Sequence, residues 1–240
     1  MTDLATYDAV LFDLDGVITS TADQHFAAWK QMFDEFLASR EGGTFERADY
    51  NEHVDGVPRF DGVRNFLSSR GVRLEDGGID DHPQQETVHG LGNRKNELVN
   101  RIIEEQGVTP YEGTVRLLHQ LHARGVRCAV VSSSRNTRTV LEAAGLSQMF
   151  DARVDGEVAS EQGLAGKPAP DTFLAAAETL GVPPQRAVVI EDALSGVAAG
   201  RAGGFGLVIG VDRVGQRKAL LAHGANVVVD DLEELIHVEK

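Results

Sequence analysis

Five short runs of apolar, largely β-branched residues limit what this chain can fold into: 9–12, 126–131, 187–190, 207–209 and 227–229. None shows the apolar–polar alternation of a half-buried strand. Each suits a central strand of a parallel sheet covered on both faces. Amphipathic stretches at 115–124, 137–144, 172–180, 195–202 and 216–222 separate or follow the later runs. Gly145, Gly181 and Gly224 come just after three of them, where a helix C-cap belongs. Strand and helix in repetition predict a doubly wound, open parallel sheet.

One region breaks that alternation. From residue 21 to about 107 no convincing strand is found, and helical patterns run over 22–37, 60–70 and 97–106. Polar, glycine-containing segments at 39–43 and 75–83 join them, and 75–92 reads as a surface loop. The expected architecture is therefore a Rossmann-like α/β core, 1–20 with 108–240, carrying a small α-helical cap domain inserted at 21–107. No internal repeat or low-complexity tract is evident.

The chain has 37 acidic and 23 basic side chains, a formal net charge of −14. That surface repels polyanions, so nucleic acid and anionic membrane are poor partners, and any phosphate site must be locally positive. The single cysteine, Cys128, excludes an internal disulfide framework and lies in an apolar run, where a small buried thiol is expected. Asp3, Asp8 and Asp13 interrupt the N-terminus, and no stretch approaches the roughly 20 apolar residues of a spanning helix. A cytoplasmic location is expected. The cap helices can bury their apolar faces on the core, so the expected state is a monomer.

The segment Ala9-Val10-Leu11-Phe12-Asp13-Leu14-Asp15-Gly16 delivers two carboxylates to the C-terminal edge of a buried strand, where open α/β sheets place ligands. Like charges so close need a compensating cation or pKa values pushed apart. Mg²⁺ suits them, being a hard cation that takes carboxylates, waters and phosphate oxygens. One carboxylate can then attack phosphorus while the other moves a proton. An acidic strand-end turn or a calcium loop are the plainer alternatives. An EF-hand, however, has a preceding helix and Gly at loop position six, whereas here a strand precedes and Gly16 is the fourth residue.

Three further elements follow, each at a predicted strand end or in the loop beyond one. Ser132-Ser133-Ser134-Arg135-Asn136 opens into a helix N-terminus, an anion site or an ordinary Ser-rich cap. Gly166-Lys167-Pro168 holds a lysine just before a helix that proline can start, although most lone lysines are solvated. Val188-Val189-Ile190-Glu191-Asp192 is a second buried strand ending in paired carboxylates. Singly each has a structural reading; their order and shared sheet edge make coincidence a poor account.

In that order Asp13-x-Asp15, Ser132, Lys167 and Glu191-Asp192 resemble the four motifs of the haloacid dehalogenase superfamily, most of whose members transfer phosphoryl groups through an aspartyl-phosphate. The resemblance covers essentially the whole chain. It implies Asp13 as nucleophile and Mg²⁺ ligand, and Asp15 as general acid/base giving its backbone carbonyl to the metal. Ser132, with Ser133, and Lys167 would hold the transferring phosphate, and Glu191 and Asp192 would anchor Mg²⁺. True dehalogenases of the superfamily lack the second Asp and the metal, so Asp15 argues against that chemistry.

A narrower resemblance, to the β-phosphoglucomutase-like subfamily, is carried by Gly16-Val17-Ile18-Thr19-Ser20-Thr21-Ala22-Asp23-Gln24-His25-Phe26-Ala27-Ala28-Trp29-Lys30, with Gly56-Val57-Pro58-Arg59 and Arg94-Lys95-Asn96. It implies a sugar-phosphate substrate, β-glucose 1-phosphate interconverted with glucose 6-phosphate through a bisphosphate. Thr21, His25, Trp29, Arg59, Lys95, Ser134, Arg135 and Asn136 would be substrate-binding residues, the last three around the phosphate that is not transferring. His25 and Trp29 also have plain readings as packing residues. One position departs: family mutases tend to carry Lys before Gly56, joined to a Thr–His relay, and this chain has Asp55. An anion there would alter the charge state of His25 or repel a phosphate. The alternative activity is a phosphatase acting on a sugar phosphate or another small phosphomonoester. A non-catalytic phosphosugar-binding protein is disfavoured because no carboxylate of the pattern is missing.

Overall fold

A computed structural model describes residues 3–40 and 43–236. Residues 41–42 of the expected 39–43 connection, and 1–2 and 237–240 of the expected core, lie outside the described residues. The chain divides into two compact units, Met1–Ser20 with Val108–Lys240, and Thr21–Gly107.

The first unit holds a six-stranded, all-parallel sheet in the order β3-β2-β1-β4-β5-β6, from β1 (Ala9–Phe12), β2 (Arg127–Val131), β3 (Ala152–Val154), β4 (Ala187–Glu191), β5 (Leu207–Val211) and β6 (Val227–Val229). All four residues of β1 are buried, as are all five of β4 and of β5, which is why their sequences carry no polar alternation. Strand order reverses between β1 and β4, the place where open α/β sheets leave a crevice. In register, Phe12 lies opposite Val130 on one side and Ile190 on the other. The residues just past β1 and at the end of β4 therefore emerge together on one edge.

The helices of this unit are α5 (Glu112–Ala123), α6 (Thr137–Ala143), α7 (Gly156–Gln162), α8 (Asp171–Thr179), α9 (Leu194–Ala202) and α10 (Arg217–His223), after α1–α4 of the second unit. The three C-terminal glycines behave as expected: Gly145, Gly181 and Gly224 have φ of 70°, 66° and 124°. Two elements were not anticipated, β3 and α7. A three-residue strand carries too little pattern to read, and α7 depends on Asp155, whose Oδ1 accepts from Glu157 N and Val158 N at 3.0 Å each.

Among the described residues the second unit contains no strand. It comprises α1 (Ala22–Leu37), the short α2 (Arg47–Asp49) running into a π turn, α3 (Arg59–Ser69) and α4 (Val88–Gln106). Its centre is aromatic: the Phe33 and Phe66 ring centroids lie 4.2 Å apart, Phe45 and Phe66 4.9 Å, and Trp29 stacks on Phe33 at 5.3 Å. α4 begins nine residues before the expected 97, so part of the presumed surface loop is helix. Thr87 Oγ1 caps it by accepting Gly90 N at 3.0 Å. The glycines that disguised it serve close approach, since a Cβ on Gly90 would lie 2.3 Å from Gln85 O and one on Gly92 2.6 Å from the Phe60 ring. Among the described residues no helix is long and apolar enough to cross a membrane.

Candidate active site

Asp13 follows β1 directly, its N–H donating to Ile190 O at 3.0 Å, which locks it beside β4. Its carboxylate accepts from Lys167 Nζ. The same ammonium reaches Glu191 Oε1 at 2.6 Å and the Val131 carbonyl at 3.4 Å, so one buried lysine ties together the ends of β1, β2 and β4. Asp13, Glu191 and Asp192 each offer an oxygen within 4.8 Å of the others, the one such cluster among the described residues. All three are buried, and Asp15 is half-buried two residues on.

Like charges are crowded here. Three buried carboxylates gather around one buried ammonium. Burial first, then the Glu191 and Asp15 carboxylates, push the Asp13 carboxyl well above its ordinary value against the pull of Lys167. Burial alone would lower the Lys167 pKa, but Asp13 and Glu191 together raise it, so it stays an ammonium. A cation would offset that crowding, and an all-oxygen donor set suits a hard one. Glu191 is fixed in place. Its Oε2 accepts Ala193 N at 2.8 Å, and α9 presses so close that a Cβ on Gly196 would lie 1.7 Å from Oε1. Each carboxylate oxygen has further acceptor capacity beyond the single bond it accepts.

Past β2 the chain turns through a stack of hydroxyl caps. Ser132 is 3% exposed and its Oγ accepts Ser134 N; Ser134 Oγ in turn accepts Asn136 N, both at 3.1 Å. Gly156 N donates to Ser134 O at 3.0 Å, pinning this loop to the start of α7. Ser133, Ser134 and Asn136 are half-buried within it. Arg135 turns to α7, donating from Nη2 to Ser160 Oγ at 3.1 Å. Cys128 is buried in β2, and burial, then Asp151, pushes its thiol up to about 12, leaving it no part as a nucleophile.

In the second unit, Thr21 stands just before α1, His25 and Trp29 lie on α1, Lys95 on α4, and Arg59 opens α3. Lys95 is 5% exposed; its Nζ lies 3.0 Å from His25 Nδ1 and 5.1 Å from the centre of the Trp29 ring. An ammonium can only donate, so His25 Nδ1 accepts and a neutral ring carries its proton on Nε2. Lys95, not a residue at the position of Asp55, is the lysine that reaches His25. Trp29 belongs to the apolar interior, and Arg59 lies 4.7 Å from the Phe60 ring centre. What sequence reading missed are the groups that hold Glu191, the Ala193 N–H and Gly196. The one available signal was a glycine four residues after the paired carboxylates.

Residues 7–204 match the sequence profile of the haloacid dehalogenase-like hydrolases. Fold, carboxylate cluster and profile together define an enzyme of that class. The β-phosphoglucomutase of Mycobacterium bovis is 52% identical over 238 residues, spanning 95% of this chain and 91% of its own. That of Bacillus subtilis is 36% identical over 238 residues, spanning 96% and 94%. Among solved structures, β-phosphoglucomutase from Clostridium difficile superposes with a TM-score of 0.78 at 26% identity, over 96% of this chain and 93% of that one. The chain belongs to the haloacid dehalogenase-like hydrolase family and, within it, to the β-phosphoglucomutase-like branch.

Proposed function

We propose that this enzyme transfers a phosphoryl group through an aspartyl-phosphate on Asp13 with Mg²⁺, interconverting β-glucose 1-phosphate and glucose 6-phosphate. The observation that carries the reading is the buried Asp13–Glu191–Asp192 carboxylate cluster, together with 52% identity to a protein named for that reaction. Asp13, Glu191 and Asp192, with the Asp15 carbonyl, would hold the Mg²⁺. When bound, the ion screens the incoming phosphate from the carboxylates and neutralises charge developing on it.

In the first half-reaction an Asp13 oxygen attacks phosphorus, the bond from phosphorus to the sugar oxygen breaks, and Asp15 gives that oxygen its proton. In the second, a sugar hydroxyl loses its proton to Asp15 and attacks the aspartyl-phosphate, freeing Asp13. Ser132, Ser133 and Lys167 hold the moving phosphoryl oxygens, and Lys167 keeps Asp13 oriented. Thr21, His25 and Lys95, with Arg59, serve the sugar bisphosphate, as do Ser134 and Asn136.

A phosphatase is the second reading, favoured by Asp55 where family mutases carry lysine. It shares the first half-reaction and differs in letting water attack. Phosphorus NMR on β-glucose 1-phosphate with Mg²⁺ and a trace of glucose 1,6-bisphosphate separates the two. Glucose 6-phosphate is the expected product; inorganic phosphate alone would establish the hydrolase.

A further inference from the structure

The loop between β5 and α10 carries no motif, yet it reaches both halves of the carboxylate cluster. Arg213 Nε donates to the Gly16 carbonyl at 2.8 Å. Gln216 Nε2 donates to the Asp192 carbonyl at 3.0 Å, an assignment its acceptor-only partner requires. The two carbonyls belong to segments already in contact: a Cβ on Gly16 would lie 1.9 Å from Asp192 Oδ2. The turn after Asp15 and the Asp192 carboxylate are thus pressed together, with two side chains of one loop gripping the backbone on either side.

That loop is itself rigidly held. Asp212 Oδ1 accepts Gln216 N at 2.7 Å and Oδ2 accepts Arg217 N at 3.1 Å, while Asp212 N donates to Val229 O at 2.8 Å. The Arg213 guanidinium lies 3.7 Å from the Tyr111 ring centre, and its Nη1 donates to Asp230 O at 3.1 Å. Neighbouring carbonyls of the turn are fixed too: Thr114 Oγ1 donates to Val17 O at 2.7 Å and Tyr111 N to Ile18 O at 2.9 Å. A carboxylate ligand is effective when its backbone is fixed before the cation arrives, because ordering it afterwards subtracts from the binding free energy.

We propose that Arg213 and Gln216 are positioning residues that set the gap between the Asp15–Gly16 turn and Asp192, and through it the affinity of the site for a divalent cation. The proposal rests on reading Asp13, Glu191 and Asp192 as the ligands of that cation. Neither residue touches the reacting atoms in this account.

The test titrates the whole enzyme with Mn²⁺ alone, following free Mn²⁺ by electron paramagnetic resonance, beside thermal unfolding in EDTA. Gln216→Met removes the donor at similar length and adds no charge; it should weaken Mn²⁺ binding about tenfold, as loss of a partner that orients a ligand typically does. Its melting temperature in EDTA should stay near wild type, and saturating Mg²⁺ should restore kcat. Arg213→Met should act in the same direction, although deleting a positive charge would by itself draw a cation in. Arg213→Lys should recover part of the loss. Unchanged Mn²⁺ affinity in both Met variants, or weakened binding with a melting temperature lowered in EDTA and no recovery of kcat, overturns the proposal. Asp192→Asn is the control. If it leaves Mn²⁺ binding intact, the ligand reading itself falls, taking the proposal with it. If Asp192→Asn weakens binding while the Met variants do not, only the positioning role is lost.

Discussion

Lys95 Nζ lies 3.0 Å from His25 Nδ1, joining α4 to α1 through a contact between a buried ammonium and a half-buried imidazole. This supplies His25 with a cationic partner although Asp55 stands where family mutases tend to carry lysine. Lys95→Met should therefore slow sugar-phosphate conversion by about 10- to 100-fold, the size of a lost hydrogen bond to a charged group. Asp55→Lys should change the rate by less than about threefold, since the imidazole nitrogen it would seek is already engaged. Initial rates on β-glucose 1-phosphate test both. A Lys95→Met enzyme within threefold of wild type would mean the contact only packs the helices.

Asp13 and Lys167 predict opposite responses to removal of one charge. Asp13→Asn takes an anion from a cluster of three buried carboxylates, so its melting temperature in EDTA should equal or exceed that of wild type. Turnover should nonetheless fall by about 10³-fold or more, because an amide cannot carry the phosphoryl group. Lys167→Met leaves three clustered buried carboxylates without that ammonium; it should cost about 3–5 kcal/mol of stability and at least about 100-fold in rate. Calorimetry in EDTA, set beside single-turnover rates, separates the pair. Destabilisation by Asp13→Asn as large as by Lys167→Met would refute the picture of crowded like charges.

The approach of α9 to Glu191 can be tested within a single helix. A Cβ at Gly196 would meet Glu191 Oε1 at 1.7 Å, whereas one at Gly200 would meet only Val189 and Val208 carbons at 3.1–3.3 Å. Gly196→Ala must expel the carboxylate from its bonds to Lys167 and Ala193 N. It should lower stability by about 3 kcal/mol and leave the folded fraction at least about 100-fold slower. Gly200→Ala asks the neighbouring valines to yield a few tenths of an ångström, so activity per folded molecule should be unchanged. Equal activity in the two variants would show that Glu191 has somewhere else to go.

How far the sequence could be read depends on what each residue uses to act. β1 and β4 were legible almost to the residue because strands buried on both faces leave uninterrupted apolar runs; β6, at the sheet edge with Val227 exposed, was legible from its run of three valines. Asp13, Glu191 and Asp192 stood out because a carboxylate at such a strand end has few reasons to be there, whereas Lys167, in the loop before α8, stood out only together with them. The opening of α4 was not, since Gly90 and Gly92 read as breaks, and only the Phe60 ring and Gln85 carbonyl explain them. The contacts of Ala193, Gly196, Arg213 and Gln216 run through backbone groups or empty space, which side-chain chemistry does not reveal. Lys95 was singled out for a substrate, but its 3.0 Å contact with His25, 70 residues away, has no local pattern.

Arg59 tests the choice between mutase and phosphatase. A bisphosphate intermediate reacts at either end, so the phosphate that is not transferring needs its own cationic seat, whereas hydrolysis of a small monophosphate needs none. Arg59 is the first residue of α3 and is half-buried, its guanidinium carbon 4.7 Å from the Phe60 ring centre. Gly92 keeps that corner open, since a Cβ there would lie 3.3 Å from Arg59 Cγ and 2.6 Å from the Phe60 ring. A planar guanidinium held this way can grip phosphate with two parallel hydrogen bonds, which an ammonium cannot reproduce. Arg59→Ala should reduce conversion of β-glucose 1-phosphate by about 100-fold, the value of a charge-assisted hydrogen-bonded pair, and hydrolysis of an aryl phosphate by less than about threefold. Arg59→Lys should recover little of the first activity. Comparing kcat/KM for the two substrates across the three proteins gives the answer. Equal losses on both would assign Arg59 to the stability of the helical unit and favour water as the second acceptor.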